Sequence, residues 1–376
     1  MAENLLVIGN GFDLAAGAKT SYGNYFESEQ YRETRENAIK WINHCLMGNY
    51  RSSSFSTLYS ENPEPFNCWD LLFCMKSMHF DTLSCYAVLK NWCDIEAVIH
   101  DSLTLNSRKK ISWCVIYDCL HKLRKNEWGE ITNYPELKEH NIMFKYLVST
   151  GWEKKSDSMK HFYSSLLDEL KNFEHSFGRY ISIITEASDD YQYNAKRYAD
   201  QLSGTKVDIL VDSFNYSDFY GNCLKIRHIN GNTDNPIFGI DLSEAEEEEH
   251  AEACCFTKTS RRLQQDALRI SDLSDDGIES INSAVVFGHS LNMMDYDYFN
   301  YLFTMLKFNT YDISKMGKIV FAYKSHGEDP NAERLRYAGK VYSILNRYEK
   351  NVSKSNQHIL INMLRFSGKL TFWELS

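Results

Sequence analysis

Leu5-Leu6-Val7-Ile8-Gly9-Asn10-Gly11-Phe12-Asp13 is the stretch that decides the fold. Four apolar residues read as a strand. Two glycines then let the chain turn sharply and bring backbone N–H groups close to an anion. The stretch predicts an α/β fold, doubly wound and mainly parallel, whose first strand runs into a phosphate-cradling loop made by Gly9, Asn10, Gly11, Phe12 and Asp13. The third glycine of the GxGxxG dinucleotide fingerprint would fall at Leu14, and no Walker lysine and serine follow. A tight strand-to-helix turn with Asp13 as a helix cap fits the same residues equally well.

Further strand-like runs are Val207-Val211, Leu224-Ile229, Ile237-Ile240, Ala284-Phe287 and Lys318-Tyr323, several of them bounded by glycine or polar turn residues. All lie in the second half of the chain. Between Tyr25 and Ser203 the pattern is helical, clearest where apolar residues from Met159 to Ile184 recur at three- and four-residue spacing. That stripe predicts one long amphipathic helix that packs a core. The organisation expected is a first strand and glycine loop over residues 1–30, a large helical insertion over 31–203, and the remainder of the α/β domain over 204–376. The later strands alternate with helices, as right-handed crossovers between parallel strands require. Glu244 to Glu249 is an acidic run that reads as a solvated face.

A chain of 376 residues with 14% aromatic residues and 5 prolines is long enough to bury a full core and is rich in helix. No basic segment with an apolar stretch and cleavage site opens it, and no apolar window approaches the roughly 20 residues of a membrane span. The expected location is the cytoplasm, with no membrane partner. The 10 cysteines form no CxxC pair and read as reduced thiols, so neither a zinc knuckle nor a disulfide scaffold is expected. A formal net charge of -10 disfavours broad nucleic-acid binding, which needs lysine and arginine against phosphates. The locally basic segment from Arg334 to Lys369 reads as a solvated face.

Three later segments carry candidate chemistry. Asp212 to Asp218 follows the Val207-Val211 run, so its polar side chains emerge at a strand's carboxyl end, where open α/β sheets bind ligands. Asn215 there is placed to hold a ribose or a water, although a polar turn that satisfies its own backbone fits as well. His228 ends the next strand and is a candidate general base, because imidazole titrates near neutral pH. Asn230 and Gly231 follow it, and His228 and Asn230, two apart, would share a strand face. Gly288, His289 and Ser290 leave a third strand in a small polar turn suited to a second phosphate or a ribose. The same turn can be read as a nucleophile elbow with Ser290 as nucleophile and His326 or His358 as base, but Asn292 replaces its second glycine. Asp295 and Asp297, with Asp13, could bind a metal for phosphodiester hydrolysis; aspartates on a polar turn are more often solvated or capping.

Taken together, these segments resemble the phage abortive-infection H family (AbiH), whose members look like distant relatives of sirtuin-type NAD-binding proteins. The resemblance rests on Ile8-Gly9-Asn10-Gly11-Phe12-Asp13-Leu14 with Gly17 and Thr20-Ser21-Tyr22, then Trp92-Cys93-Asp94-Ile95-Glu96, and Phe173, Glu174, Phe177 and Tyr180. It continues with Phe214-Asn215-Tyr216-Ser217, Gly231 with Ile237-Phe238-Gly239-Ile240-Asp241, Phe256-Thr257-Lys258-Thr259, and Gly288-His289-Ser290-Leu291 with Asp295 and Tyr298-Phe299. It implies a Rossmann-like or sirtuin-like sheet and a role in bacterial defence against phage. Sirtuin-type NAD hydrolases use an asparagine, which Asn215 resembles by its place after a strand, and a histidine immediately before a glycine. Here that second position holds Asn230.

The function expected is an antiphage effector that binds NAD or a related nucleotide and hydrolyses its nicotinamide–ribose bond, with Asn215 and His228 as catalytic residues and no metal. Gly9 to Asp13, Asn230, Gly231, Gly288, His289 and Ser290 would hold the nucleotide. The alternatives are a non-catalytic nucleotide-binding sensor in phage defence and a metal-dependent nuclease. A phage or host protein acting as trigger, and a second copy of the chain, remain open as partners.

Overall fold

The computed structural model describes residues 4–47, 66–77, 92–104, 112–125, 138–204, 209–219, 224–264, 281–292, 295–310, 312–325, 329–352 and 359–375. These divide into two compact units: residues 1–20, 181–236 and 262–376 form the first, and residues 21–180 and 237–261 the second.

The first unit is built on six parallel strands, β1 (Asn4–Ile8), β2 (Ile209–Ser213), β3 (Leu224–His228), β4 (Ser283–Phe287), β5 (Lys318–Tyr323) and β6 (Leu370–Glu374). They lie in the order β3-β2-β1-β4-β5-β6. This is a doubly wound Rossmann-like sheet, with the strand order reversing beside β1. β1 pairs with β2 on one side, Leu5 opposite Leu210, and with β4 on the other, Leu5 opposite Ala284. Its apolar run suits a strand covered on both faces. Leu5 and Val7 pack on one face with Phe299, Leu302, Phe303, Ile344 and Leu345 from the helices Tyr296–Met305 and Pro330–Val352. Leu6 and Ile8 pack on the other with Phe12 and with Tyr191, Ala195, Tyr198 and Leu202 of the helix Asp189–Ser203. Each such side chain contributes about 1.5–3 kcal/mol through burial. Opposite positions on β2 and β3 hold Asp212 and Arg227, whose Nε and Nη2 donate to the two carboxylate oxygens at 2.6 and 2.7 Å, while the Tyr298 hydroxyl donates to Asp212 at 2.6 Å.

The second unit is helical. The predicted long amphipathic helix is present as Met159–Thr185. Tyr22, Tyr25, Phe173, Phe177 and Phe238 pack ring against ring, as do Trp69, Trp113 and Phe162. Two ion pairs are buried there, Arg261 with Glu174 and Lys258 with Glu96. Ile237-Ile240, expected as a strand, is not one. Its backbone is taken up elsewhere: Glu174 accepts from the Phe238 N–H, Arg261 donates to the Phe238 carbonyl, and Ile240 makes a single bridge to Thr257. The edge strand β6 is not among the apolar runs of the sequence, because it buries little beyond Leu370. No helix among the described residues is long and apolar enough to cross a membrane.

The turns after β1 and β4 press together. A Cβ on Gly288 would lie 2.3 Å from the backbone nitrogen of Phe12, and Gly288 itself has φ +69°. Replacing Gly288 with Ala therefore puts backbone against backbone, and should cost about 2–4 kcal/mol in urea denaturation. Gly339, on the helix Pro330–Val352, has open space around it, so Gly339→Ala should gain up to about 1 kcal/mol in the same measurement.

Candidate functional site

The carboxyl ends of β1 and β4 meet at the point where strand order reverses, the place where open α/β sheets receive ligands. Here the glycine turn is fastened to the β4 turn: the Gly9 N–H donates to the Phe287 carbonyl at 3.0 Å and the Gly11 N–H to the Gly288 carbonyl at 2.8 Å. The Phe12 N–H closes the turn on the Gly9 carbonyl at 2.8 Å. Added Cβ atoms on Gly9 and Gly11 would fall 2.6 Å from His289 Cα and 2.8 Å from Gly288 Cα. The two glycines thus admit a neighbouring turn. Asn10 accepts the Thr20 hydroxyl through its side-chain oxygen at 2.5 Å.

Asp13 is not the helix cap. Gly9 holds that position without a side-chain bond, and Asp13 lies inside the first turn of the short helix Asn10–Ala15. Its buried carboxylate collects donors from distant parts of the chain. Tyr191 and Asn215 Nδ2 donate to Oδ1 at 2.9 and 3.0 Å, and Ser217 donates to Oδ2 at 2.7 Å. Among these partners, no local pattern in the sequence points to Tyr191, 178 residues away. Burial pushes the Asp13 carboxyl up to about 6; the hydrogen bonds from Ser217, Tyr191 and Asn215 offset only part of that cost.

Asn215 lies just beyond β2. Its Nδ2 donates to the Gly9 carbonyl at 3.1 Å as well as to Asp13, and both partners are acceptors, which fixes which end of the amide is oxygen. Asn215 Oδ1 is left buried with no hydrogen-bond partner among the described residues. A buried acceptor without a donor costs about 1–3 kcal/mol. It is the kind of group a ligand hydroxyl or a water satisfies.

His228 ends β3 with both ring nitrogens engaged, Nδ1 on the Asn215 carbonyl at 3.0 Å and Nε2 on Asp218 at 2.8 Å. Both partners can only accept, so the ring that satisfies both is the doubly protonated imidazolium. Burial pulls its pKa down, but the bonds to Asp218 and to the Asn215 carbonyl outweigh that and raise it. Asn230 lies beyond the strand and accepts from Arg262 Nη2 at 2.7 Å. Gly231 turns at φ +80°, where a Cβ would meet the Asn235 carbonyl at 2.0 Å.

On the β4 side, His289 is buried between the rings of Phe214 and Phe299, at 4.4 and 5.0 Å. Its Nδ1 accepts the Leu291 N–H at 2.9 Å, which puts the proton on Nε2, 3.4 Å from Asp295. Leu291 itself holds a positive φ of 54°, an uncommon conformation for a side chain of its shape. The Ser290 carbonyl accepts Lys340 Nζ at 2.9 Å. His326 and His358, the bases of the nucleophile-elbow reading, lie outside the described residues. The three aspartates of the metal alternative have separate surroundings: Asp13 has its hydrogen-bond donors, Asp295 faces His289, and Asp297 is exposed. No group of three or more His, Cys, Asp or Glu side chains among the described residues is arranged to hold a metal ion.

The high pKa of Asp13 has a consequence for stability. Between 3.8 and about 6 the folded chain keeps a proton that the unfolded chain has released, so this contribution is fully present below 3.8 and is lost as pH rises through about 6. Thermal denaturation of wild type and Asp13→Asn should therefore show the difference shifting against wild type by up to about 3 kcal/mol between acid and neutral pH. A difference independent of pH would contradict the assignment.

The family model described as bacteriophage abortive infection AbiH matches residues 5–316. No curated protein and no solved structure matches the chain. The match takes in the glycine turn and the β4 turn and stops before β5, and the chain belongs to the AbiH family.

Proposed function

With that membership as premise, we propose that the chain is an abortive-infection effector that binds NAD at the carboxyl ends of β1, β2 and β4 and hydrolyses the nicotinamide–ribose bond. The observation that carries this reading is Asn215 Oδ1, a buried acceptor without a donor beside the point where the strand order reverses. A ribose hydroxyl or the attacking water supplies the missing donor. With the N–H groups of Gly9, Gly11 and Phe12 already bound to carbonyls, the glycine turn contributes shape. Lys340, at the β4 turn, provides a positive charge for the phosphates.

Cleavage releases neutral nicotinamide and leaves positive charge on the ribose, so the site must stabilise an oxocarbenium-like centre and position water. Asp13, one hydrogen bond from Asn215, supplies negative charge once ionised. His228, holding its proton, orients the Asn215 segment and Asp218 in place of acting as the base expected from the sequence. Asn230 in the place of the sirtuin-type histidine, bound to Arg262, supports the second reading, a sensor that holds nucleotide without cleaving it.

Nicotinamide release from NAD, measured with purified protein alone and with extract of phage-infected cells, separates the two. Asn215→Ala should lower the rate about 100-fold or more, and the wild-type rate should fall as pH drops through about 6, where Asp13 gains its proton. Lys340→Ala should raise KM with little change in kcat. NAD binding with no release under either condition would replace hydrolysis with the sensor reading.

A further inference from the structure

The helical unit contains a cavity of about 280 Å³ that plays no part in the sheet site. Its rings are Tyr25, from the helix Tyr22–Glu27, Tyr31, from the helix Glu29–Met47, and Phe66. Its carboxylate is Asp70, in the first turn of the helix Cys68–Ser77. Asn172 and Ser176, exposed on the helix Met159–Thr185, mark where it reaches solvent. At roughly 30 Å³ per water, the space takes a group of several heavy atoms.

Asp70 is only 6% exposed and is held rigidly: the Tyr31 hydroxyl donates to Oδ1 at 2.8 Å and the Asn67 N–H to Oδ2 at 2.9 Å. Among the described residues no lysine or arginine forms an ion pair with it, and the neighbouring charge that acts on it is another carboxylate, Glu169. Elsewhere in this unit buried carboxylates have cations, Glu96 with Lys258 and Glu174 with Arg261. Asp70 differs in facing a cavity. Burial and Glu169 together push its carboxyl up to about 6, which leaves it charged at neutral pH. The faces of aromatic rings carry negative potential, and rings grouped around a carboxylate form a cage for a cation.

We propose that this cavity binds an ammonium group, whose charge pairs with Asp70 and whose alkyl part lies against Tyr25, Tyr31 and Phe66. The ammonium can belong to a small quaternary-ammonium compound or to a lysine side chain of a protein. An anionic ligand is disfavoured by both carboxylates, and a neutral one leaves Asp70 without a counter-ion.

Calorimetric titration of the full chain with choline, with its neutral carbon analogue 3,3-dimethylbutanol and with Nα-acetyllysine methylamide tests this. At least one cation should bind while the neutral analogue does not, and the tighter of the two cations tells a small quaternary ammonium from the primary ammonium of a lysine side chain. Asp70→Asn, which keeps the shape, should weaken cation binding at least about tenfold, the loss of one charge pairing. Ser176→Lys, at an exposed position of the helix Met159–Thr185 that lines the cavity, should place its own ammonium there and block the probes, with the melting temperature confirming that the variant is folded despite losing the Ser176 bond to Tyr25. Equal binding of choline and the neutral analogue, full affinity in Asp70→Asn or Ser176→Lys, or no binding of either cation would overturn the proposal.

Discussion

The contact between the turn after β1 and the turn after β4 governs the rest of the sheet unit. Gly9 and Gly11 have no side chains to keep Gly288 and His289 away, so the two turns meet backbone to backbone, and two of their hydrogen bonds run across that contact. It continues the pairing of β1 with β4 beyond the last sheet residues, Ile8 and Phe287. It also determines where the first polar side chains beyond the strands can stand. Asn215 reaches the Gly9 carbonyl because that turn is tight, and Asp13, one helical turn further on, lies within reach of the same amide.

From this follows a site in which the buried polar groups are satisfied almost completely. Asp13 draws donors from Tyr191, Asn215 and Ser217, His228 ties Asn215 to Asp218, and His289 is held by Leu291, Asp295 and two rings. In such a network a single orphaned acceptor stands out, since an unpaired polar group is costly where the dielectric is low. Asn215 Oδ1 is that group. The network therefore fixes the orientation of the asparagine amide and leaves its oxygen without a donor among the described residues.

Most of the sheet was legible in the sequence because its inner strands are short apolar runs closed by polar turns, as in β1, β4 and β5. β6 was not, since Leu370-Thr371-Phe372-Trp373-Glu374 is an edge strand that buries only Leu370 fully. Ile237-Ile240 differs in the opposite sense: it is apolar and contains a glycine, but its backbone groups go to Glu174, Arg261, the Phe256 carbonyl and the Lys258 N–H. At the site, Asn215, His228 and the glycine turn could be picked out by their place after strands. Their hydrogen-bonding states could not. Whether a histidine donates from one nitrogen or both depends on Asp218 and a backbone carbonyl, and whether a loop amide is free depends on the carbonyls of Phe287 and Gly288, far along the chain. Tyr191 carries no local mark at all, because its role comes from packing its helix on the sheet.

We propose that Asn215 Oδ1 takes its missing donor from a bound nucleotide or from the attacking water. A crystal structure of the chain soaked with NAD tests it most directly: density should place a ribose hydroxyl or an ordered water within hydrogen-bond distance of that oxygen, with the phosphates toward the β4 turn. A nucleotide bound elsewhere, with Asn215 Oδ1 still unpaired, would contradict it.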